Sequence, residues 1–198
     1  MALQIIYETH SITEDNEAGV ATGWLPGRLS AEGRRLAAEL GVRRRQGIAA
    51  VFTSDLARAV ETAEIAFGGG GIPIIQDRRL RECNYGAWNG MAVARLAAER
   101  SRHIDTPYAD GQSYRQVVEQ TYAFLRDLTH SWDGRTVVLI SHSANRWALD
   151  HLLHGAALEE LVDAPFSWQE GWQYVLPAGW DGVMQSAAPD TLPVAGTG

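Results

Sequence analysis

Apolar residues follow two rhythms along the chain. Short continuous runs rich in β-forming residues predict buried strands: LQIIY (3–7), IAAVFTS (48–54), IPIIQ (72–76), TVVLIS (136–141) and WQYVL (172–176). Between them lie longer segments whose apolar residues recur at helical spacing. These are LSAEGRRLAAELGVRRRQ (29–46), DLARAVETAEIAF (55–67), MAVARLAAERSR (91–102), SYRQVVEQTYAFLRDLTH (113–130) and SANRWALDHLLHG (143–155). In the first of these helices Ser30 is the expected N-cap, and Leu36, Leu40 and Val42 help form the apolar face. Gly33 sits in its first turn, where glycine is unfavourable. Ser54 is placed to cap the second helix, and Gly155 to end the last. Residues 11–28 read as a polar loop, and GGGGI (68–72) as a turn.

Strand followed by helix, repeated, predicts an α/β fold. The expected form is a three-layer α/β/α sandwich with a mainly parallel central sheet, built as one domain over residues 1–176. The tail, 177–198, is rich in Ala, Gly and Pro and is expected to be disordered. In parallel sheets ligands bind beyond the carboxyl ends of the strands. Three polar motifs fall there: THS (9–11), SDLAR (54–58) and SHS (141–143).

Composition narrows the chemistry. The chain has 198 residues, 45% of them apolar and 21% charged, which is ordinary for a soluble globular protein. No apolar run is long enough to span a membrane, and the N-terminus lacks the basic region and long apolar stretch of a signal peptide. A lone cysteine, Cys83, cannot form an internal disulfide and fits a reducing cytoplasm. A net charge of -7 argues against a nucleic-acid partner. All 17 basic residues are arginine, so lysine-dependent chemistry is excluded. Anions must be held by arginine, histidine or backbone N–H groups.

Four residues stand out within the polar motifs and one loop: His10, Arg58, Glu82 and His142. Taken singly, each has an ordinary explanation as a strand-end histidine, a surface charge or a loop carboxylate. Taken together they suit phosphoryl transfer without a metal or cofactor. A neutral imidazole attacks phosphorus. An arginine and a second, protonated imidazole neutralise the phosphoryl oxygens. A protonated carboxyl supplies the leaving group's proton.

The same residues carry a family resemblance over about residues 3–176. THSITEDN is similar to the RHGxTxxN opening of the histidine phosphatase superfamily, phosphoglycerate-mutase-like branch, and aligns His10, Thr13 and Asn16. LSAEG (29–33) resembles its LTxxG, and SDLARAVETA (54–63) its SxLxRAxxTA. Leu80, Glu82, Gly86 and Gly90 match LxExxxGxxxG, GQS (111–113) resembles GES, and SHS (141–143) resembles SHG. The resemblance implies that His10 becomes phosphorylated, that Arg58 and His142 clamp the phosphoryl group, and that Glu82 is the general acid and base. Asn16 would line the phosphate pocket.

Three departures fall in the pocket itself. Thr9 replaces the family's arginine before the nucleophile, while Ser11 and Ser143 replace glycines. A threonine hydroxyl cannot supply a charged bidentate fork. Thr9, Ser11 and Ser143 are nonetheless candidate phosphate contacts, the two serines as added donors. Arg146, Arg28 and Arg81 are candidate replacement cations, and Glu8 is expected to point away from Thr9. Trp24 and Trp88 are candidates for stacking on the leaving group.

The expected function is therefore a metal-independent phosphatase hydrolysing a small phosphorylated molecule through a phosphohistidine at His10. One alternative is a degenerate member that binds or regulates, or that takes a less charged substrate. A second is a mutase. The chain is expected to act as a monomer or homodimer; the segment FSWQEGWQYV (166–175) is a candidate dimer edge.

Overall fold

A computed structural model describes residues 1–44 and 46–182 of the chain. Five strands form the central sheet: β1 (Leu3–Thr9), β3 (Ala50–Thr53), β4 (Ile74–Gln76), β6 (Thr136–Ser141) and β7 (Trp172–Leu176). Their order is β4-β3-β6-β1-β7. β7 runs antiparallel to β1, and the other pairings are parallel. The strand following Gly71 begins after Pro73. Proline has no N–H for the ladder, but the Pro73 carbonyl accepts from Val51 N–H at 2.9 Å.

Helices cover both faces, as the alternating pattern predicts. α2 (Ala31–Arg44) and α3 (Ala57–Phe67) pack on one side around Leu40, Val51, Ala63, Phe67, Val138 and Ile140. α5 (Tyr114–Ser131) and α6 (Ser143–His154) pack on the other around Ile5, Phe52, Phe124, Leu125, Leu139 and Leu149. Burying a side chain of this size contributes about 1.5–3 kcal/mol. α5 starts where the sequence provides a capping box: Ser113 Oγ accepts from Gln116 N–H, and Gln116 Oε1 accepts from Ser113 N–H at 3.0 Å. α6 ends at Gly155 with φ 71°, the left-handed conformation glycine tolerates.

Several local expectations are corrected. The stretch 11–28 holds a short helix, α1 (Glu14–Glu17), and a strand, β2 (Val20–Ala21), that pairs with β5 (Met91–Ala92). This pairing breaks the helix expected over 91–102. Only α4 (Val93–Ala97) is α-helical, and Arg100–His103 forms a tighter 3-10 turn. Alanine-rich propensity yields there to a tertiary hydrogen-bond ladder. α3 begins at Ala57 rather than at residue 55, because Ser54 is engaged elsewhere. Val42 is 83% exposed and takes no part in the apolar face of α2. A helix without a counterpart in the pattern, α7 (Leu158–Asp163), is anchored by buried Leu158 and Val162.

Ser30 does cap α2, its hydroxyl accepting from Gly33 N–H at 3.1 Å. Gly33 has a packing reason: a Cβ there would lie 1.9 Å from the Ile12 carbonyl oxygen. The chain leaving β1 therefore crosses directly over the start of α2. Most of the tail expected to be disordered, from residue 183 onward, lies outside the described residues. Residues before it return to α5, where Tyr122 donates to the Asp181 carbonyl at 2.6 Å and Trp180 packs on Tyr122. Among the described residues no helix is long and apolar enough to cross a membrane.

Candidate active site

Strand register builds the site. β1 and β6 are paired in parallel with Thr9 opposite Ser141, so the next residues, His10 and His142, emerge side by side. His10 N–H donates to the Ser141 carbonyl at 2.8 Å, and the two imidazole centroids lie 5.1 Å apart. β3 flanks β6 on its other side, with Thr53 opposite Ile140, so Ser54 and the start of α3 reach the same edge. Arg58, on the first turn of α3, is 2% exposed.

Hydrogen bonds assign the ring tautomers. His10 Nδ1 lies 2.8 Å from the Ser11 carbonyl and must donate to it. His10 Nε2 accepts from Arg58 Nε–H at 3.2 Å, so its lone pair points at the guanidinium. Enclosure and the adjacent Arg58 charge push His10 down to about 3. It is a neutral imidazole at physiological pH, the state a nucleophile needs.

His142 is also neutral in the ligand-free site. Its Nδ1 accepts from Arg58 Nη2 at 3.3 Å, so the proton sits on Nε2 and is donated to Ser54 Oγ at 2.7 Å. Burial, then the charge of Arg58, holds it well below the ordinary histidine value. Arg58 Nη2 also donates to the Gly23 carbonyl at 2.8 Å. One guanidinium thus organises both histidines and the 20s loop.

Glu82 enters from the loop after β4 and is 8% exposed. Its Oε1 accepts from Cys83 N–H at 2.8 Å. Desolvation raises its proton affinity above the ordinary carboxylate range, partly opposed by that hydrogen bond and by the charges of Arg58 and Arg100. A carboxyl whose proton affinity is raised is better suited to general-acid work than an ordinary one.

The other expected contacts divide. Thr9, Ser11, Asn16 and Ser143 all line the same cavity as His10, Arg58 and Glu82. Ser11, however, has committed both donors: its N–H goes to Thr62 Oγ1 at 3.0 Å and its hydroxyl to the Gly33 carbonyl at 2.7 Å. It ties β1 to α2 and α3 instead of offering new donors to a phosphate. Asn16 Oδ1 accepts from Thr13 N–H in a capping box. Its amide nitrogen is the pole left for a ligand.

Arg146 does not face the cavity. It pairs with Asp150 at 3.1 Å, and its Cζ lies 5.1 Å over the ring of Trp172. Arg81 is likewise committed, bidentate to Asp55 and stacked over Trp24. Arg28 is exposed and is not part of the cavity wall. Trp24 and Trp88 are outside the wall too. Trp24 Nε1 instead donates to the Glu82 carbonyl at 2.6 Å, which positions the loop, and Trp88 packs against Tyr108 and His103. Glu8 is 4% exposed, lines the same cavity and pairs with Arg44.

Supporting residues carried weaker sequence signals. Tyr7 donates its hydroxyl to the His142 carbonyl. Asn145, fully buried on α6, donates from its amide nitrogen to the Arg81 carbonyl at 3.2 Å and to Ser141 Oγ at 2.7 Å. Ser141 Oγ in turn donates to the Leu80 carbonyl at 2.6 Å. This chain fixes the strand bearing His142 to the loop bearing Glu82. A polar residue on the otherwise apolar inner face of α6 was the available clue.

The cavity encloses about 710 Å³. Apolar walls from Ile12, Leu36, Leu40, Leu96, Phe166 and Trp168 surround the polar end at His10. Among the described residues, no group of three or more His, Cys, Asp or Glu side chains converges as a metal site.

The site thus joins a pair of strand-end histidines, a buried arginine bridging them and a protonatable carboxyl alongside. Residues 9–169 match the model of the histidine phosphatase superfamily (branch 1), and the chain belongs to that family. It is 31% identical over 149 residues to a probable phosphoglycerate mutase GpmB of Klebsiella pneumoniae, covering 71% of this chain and 69% of that one. The solved structure of Bacillus stearothermophilus YhfR superposes with a TM-score of 0.74 at 28% identity, covering 85% of this chain and 88% of the other. A mycobacterial glucosyl-3-phosphoglycerate phosphatase shares the fold, with a TM-score of 0.71 at 24% identity over 82% of this chain and 84% of that one. Phosphatases and mutases therefore both stand among its neighbours.

Proposed function

We propose that this chain is a metal-independent phosphomonoesterase that works through a phosphohistidine on His10. The observation that carries the reading is the tautomer of His10. With Nδ1–H held by the Ser11 carbonyl, Nε2 presents its lone pair beside Arg58, whose N–H groups can pass to the phosphoryl oxygens. Nε2 attacks phosphorus, the P–O bond to the alcohol breaks, and Glu82 gives its proton to the leaving oxygen. The Glu82 carboxylate then takes a proton from water as the water oxygen attacks phosphorus. The P–N bond breaks, and phosphate and neutral His10 are released.

The cavity is larger than a phosphoryl group needs and mostly apolar beyond it. This supports a phosphomonoester whose alcohol is sizeable and partly apolar. The test is hydrolysis of an aryl phosphate between about pH 5 and 8 with a chelator present, alongside His10→Ala. Chelator-resistant turnover lost in the variant is the expected result; turnover of equal size in both proteins contradicts it. Similarity to a probable mutase favours a second reading, transfer of the phosphoryl group back to a substrate. Isomerisation of 3-phosphoglycerate in the presence of a bisphosphate primer checks that reading.

A further inference from the structure

A phosphate dianion at His10 meets a site with little spare positive charge. Before a ligand enters, both imidazoles are neutral, and the donors of Arg58 are shared among His10, His142 and the Gly23 carbonyl. Thr9, beside the nucleophile, brings no charge. A site that concentrates negative charge in a low-dielectric cavity requires a second cation.

Among the described residues, two further arginines line this cavity, Arg43 and Arg100, and each has a buried Nε without a hydrogen-bond partner. Their surroundings differ. Arg43 stands at the Glu8 end, where its charge acts on that carboxylate. Arg100 makes no ion pair among the described residues; the acidic side chain preceding it, Glu99, is paired with Arg102. Its Cζ lies 5.3 Å over the Trp147 ring, which steadies the guanidinium. It shares the cavity wall with Glu82, Tyr85 and Ser143, Trp147 beneath it lies one helical turn beyond Ser143 on α6, and its charge acts on Glu82. In the acid form required of Glu82, that group cannot serve as its counter-ion.

We propose that Arg100, from the 3-10 turn Arg100–His103, is the second phosphate-binding cation of this site, supplying from the loop the charge that Thr9 does not supply from β1. The inference rests on the phosphoryl site described above but not on turnover, so the test reads binding directly. Inorganic phosphate is titrated calorimetrically into the unaltered chain and into Arg100→Met, which keeps the stem on Trp147, and Arg100→Lys, which keeps charge.

Loss of a charged donor pair is expected to weaken phosphate about 10- to 100-fold in Arg100→Met, with Arg100→Lys intermediate. Adding Thr9→Arg to Arg100→Met is expected to recover at least about tenfold, which a purely structural role of Arg100 would not predict. On the unaltered protein, phosphate is expected to slow butanedione modification of Arg100 but not of Arg43, mapped by peptide mass. This readout needs no variant to fold. Phosphate affinity within twofold of the original in a folded Arg100→Met, or no protection of Arg100, would overturn the proposal. Phosphate binding without any hydrolysis would instead count against the phosphatase reading and leave this one standing.

Discussion

The two ends of the cavity are built in different ways. At the His10 end the groups are fixed by strand register and by hydrogen bonds: His10 by the Ser141 and Ser11 carbonyls, His142 by the Ser54 and Tyr7 hydroxyls, and Arg58 by the Gly23 carbonyl. Leu36 and Leu40 of α2 supply part of the remaining wall; the rest comes from less regular segments, the 84–112 excursion and the loop before β7, whose Phe166 and Trp168 are each 55% exposed. The first region dictates what reaction is possible. The second dictates what molecule is accepted, and it can vary without disturbing the sheet.

The contrast is sharpest at the nucleophile. His10→Ala is expected to lower turnover at least about 1000-fold, because the covalent route is lost, while leaving the melting temperature within a few degrees. Steady-state kinetics with a thermal melt check both halves. Glu82→Gln is expected to reduce kcat on the order of 100- to 10,000-fold for an alkyl phosphate, and less for an aryl phosphate with a good leaving group. Glu82 acts in its protonated form and its proton affinity is raised, so kcat/KM falls as pH rises through its pKa. That limb is absent in Glu82→Gln.

A change behind the site should be milder. Asn145→Ala removes the donor to the Arg81 carbonyl and to Ser141 Oγ and is expected to cost about 1–3 kcal/mol of stability, with a roughly tenfold loss in kcat as the Glu82 loop loosens. Chemical denaturation and kinetics on the same preparation separate the two effects. Away from the histidines, Trp88→Ala is expected to shift KM less than Leu40→Ala, since Trp88 is outside the cavity wall and Leu40, on α2, within it. The reverse order would mean that the leaving group lies toward the excursion.

Acidity should also distinguish the fixed end. Folded-state values of His10 and His142 lie below that of free histidine, so the unfolded chain takes up protons first. Their stabilising contribution is present above about pH 6.5 and is lost as pH falls toward their folded values, by about 1.4 kcal/mol per histidine per unit. Melting temperature measured from about pH 7 to 5 should fall, and His142→Gln should flatten the slope.

The same division decided what could be read from the sequence. β1 and β6 are continuous apolar runs ending in histidine, so both the strands and the convergence of His10 with His142 follow from pattern and topology. Arg58 follows β3 by the same logic. The excursion offered no such rhythm. Met91–Ala92 pairs with a strand from residues 20–21, a contact between distant parts of the chain that overrides the helical propensity of its alanines. Arg146 sits one helical turn from His142, yet it turns to Asp150 and Trp172, because helical spacing fixes a direction only to within a face. Arg100 was invisible for the complementary reason: its role depends on how an irregular loop folds back over the cavity. Ser54 matched a helix-cap pattern, but a histidine 88 positions later claims its hydroxyl.

The central claim is that His10 carries the phosphoryl group. The direct measurement is rapid mixing of the protein with an aryl phosphate, a quench into alkaline denaturant that preserves phosphohistidine, and mass mapping of the peptide containing residue 10. The account predicts a transient gain of one phosphoryl group on His10, formed before the steady state and absent in His10→Ala. Turnover with no phosphorylated His10 at any mixing time, or with the phosphoryl group on another residue, would contradict it.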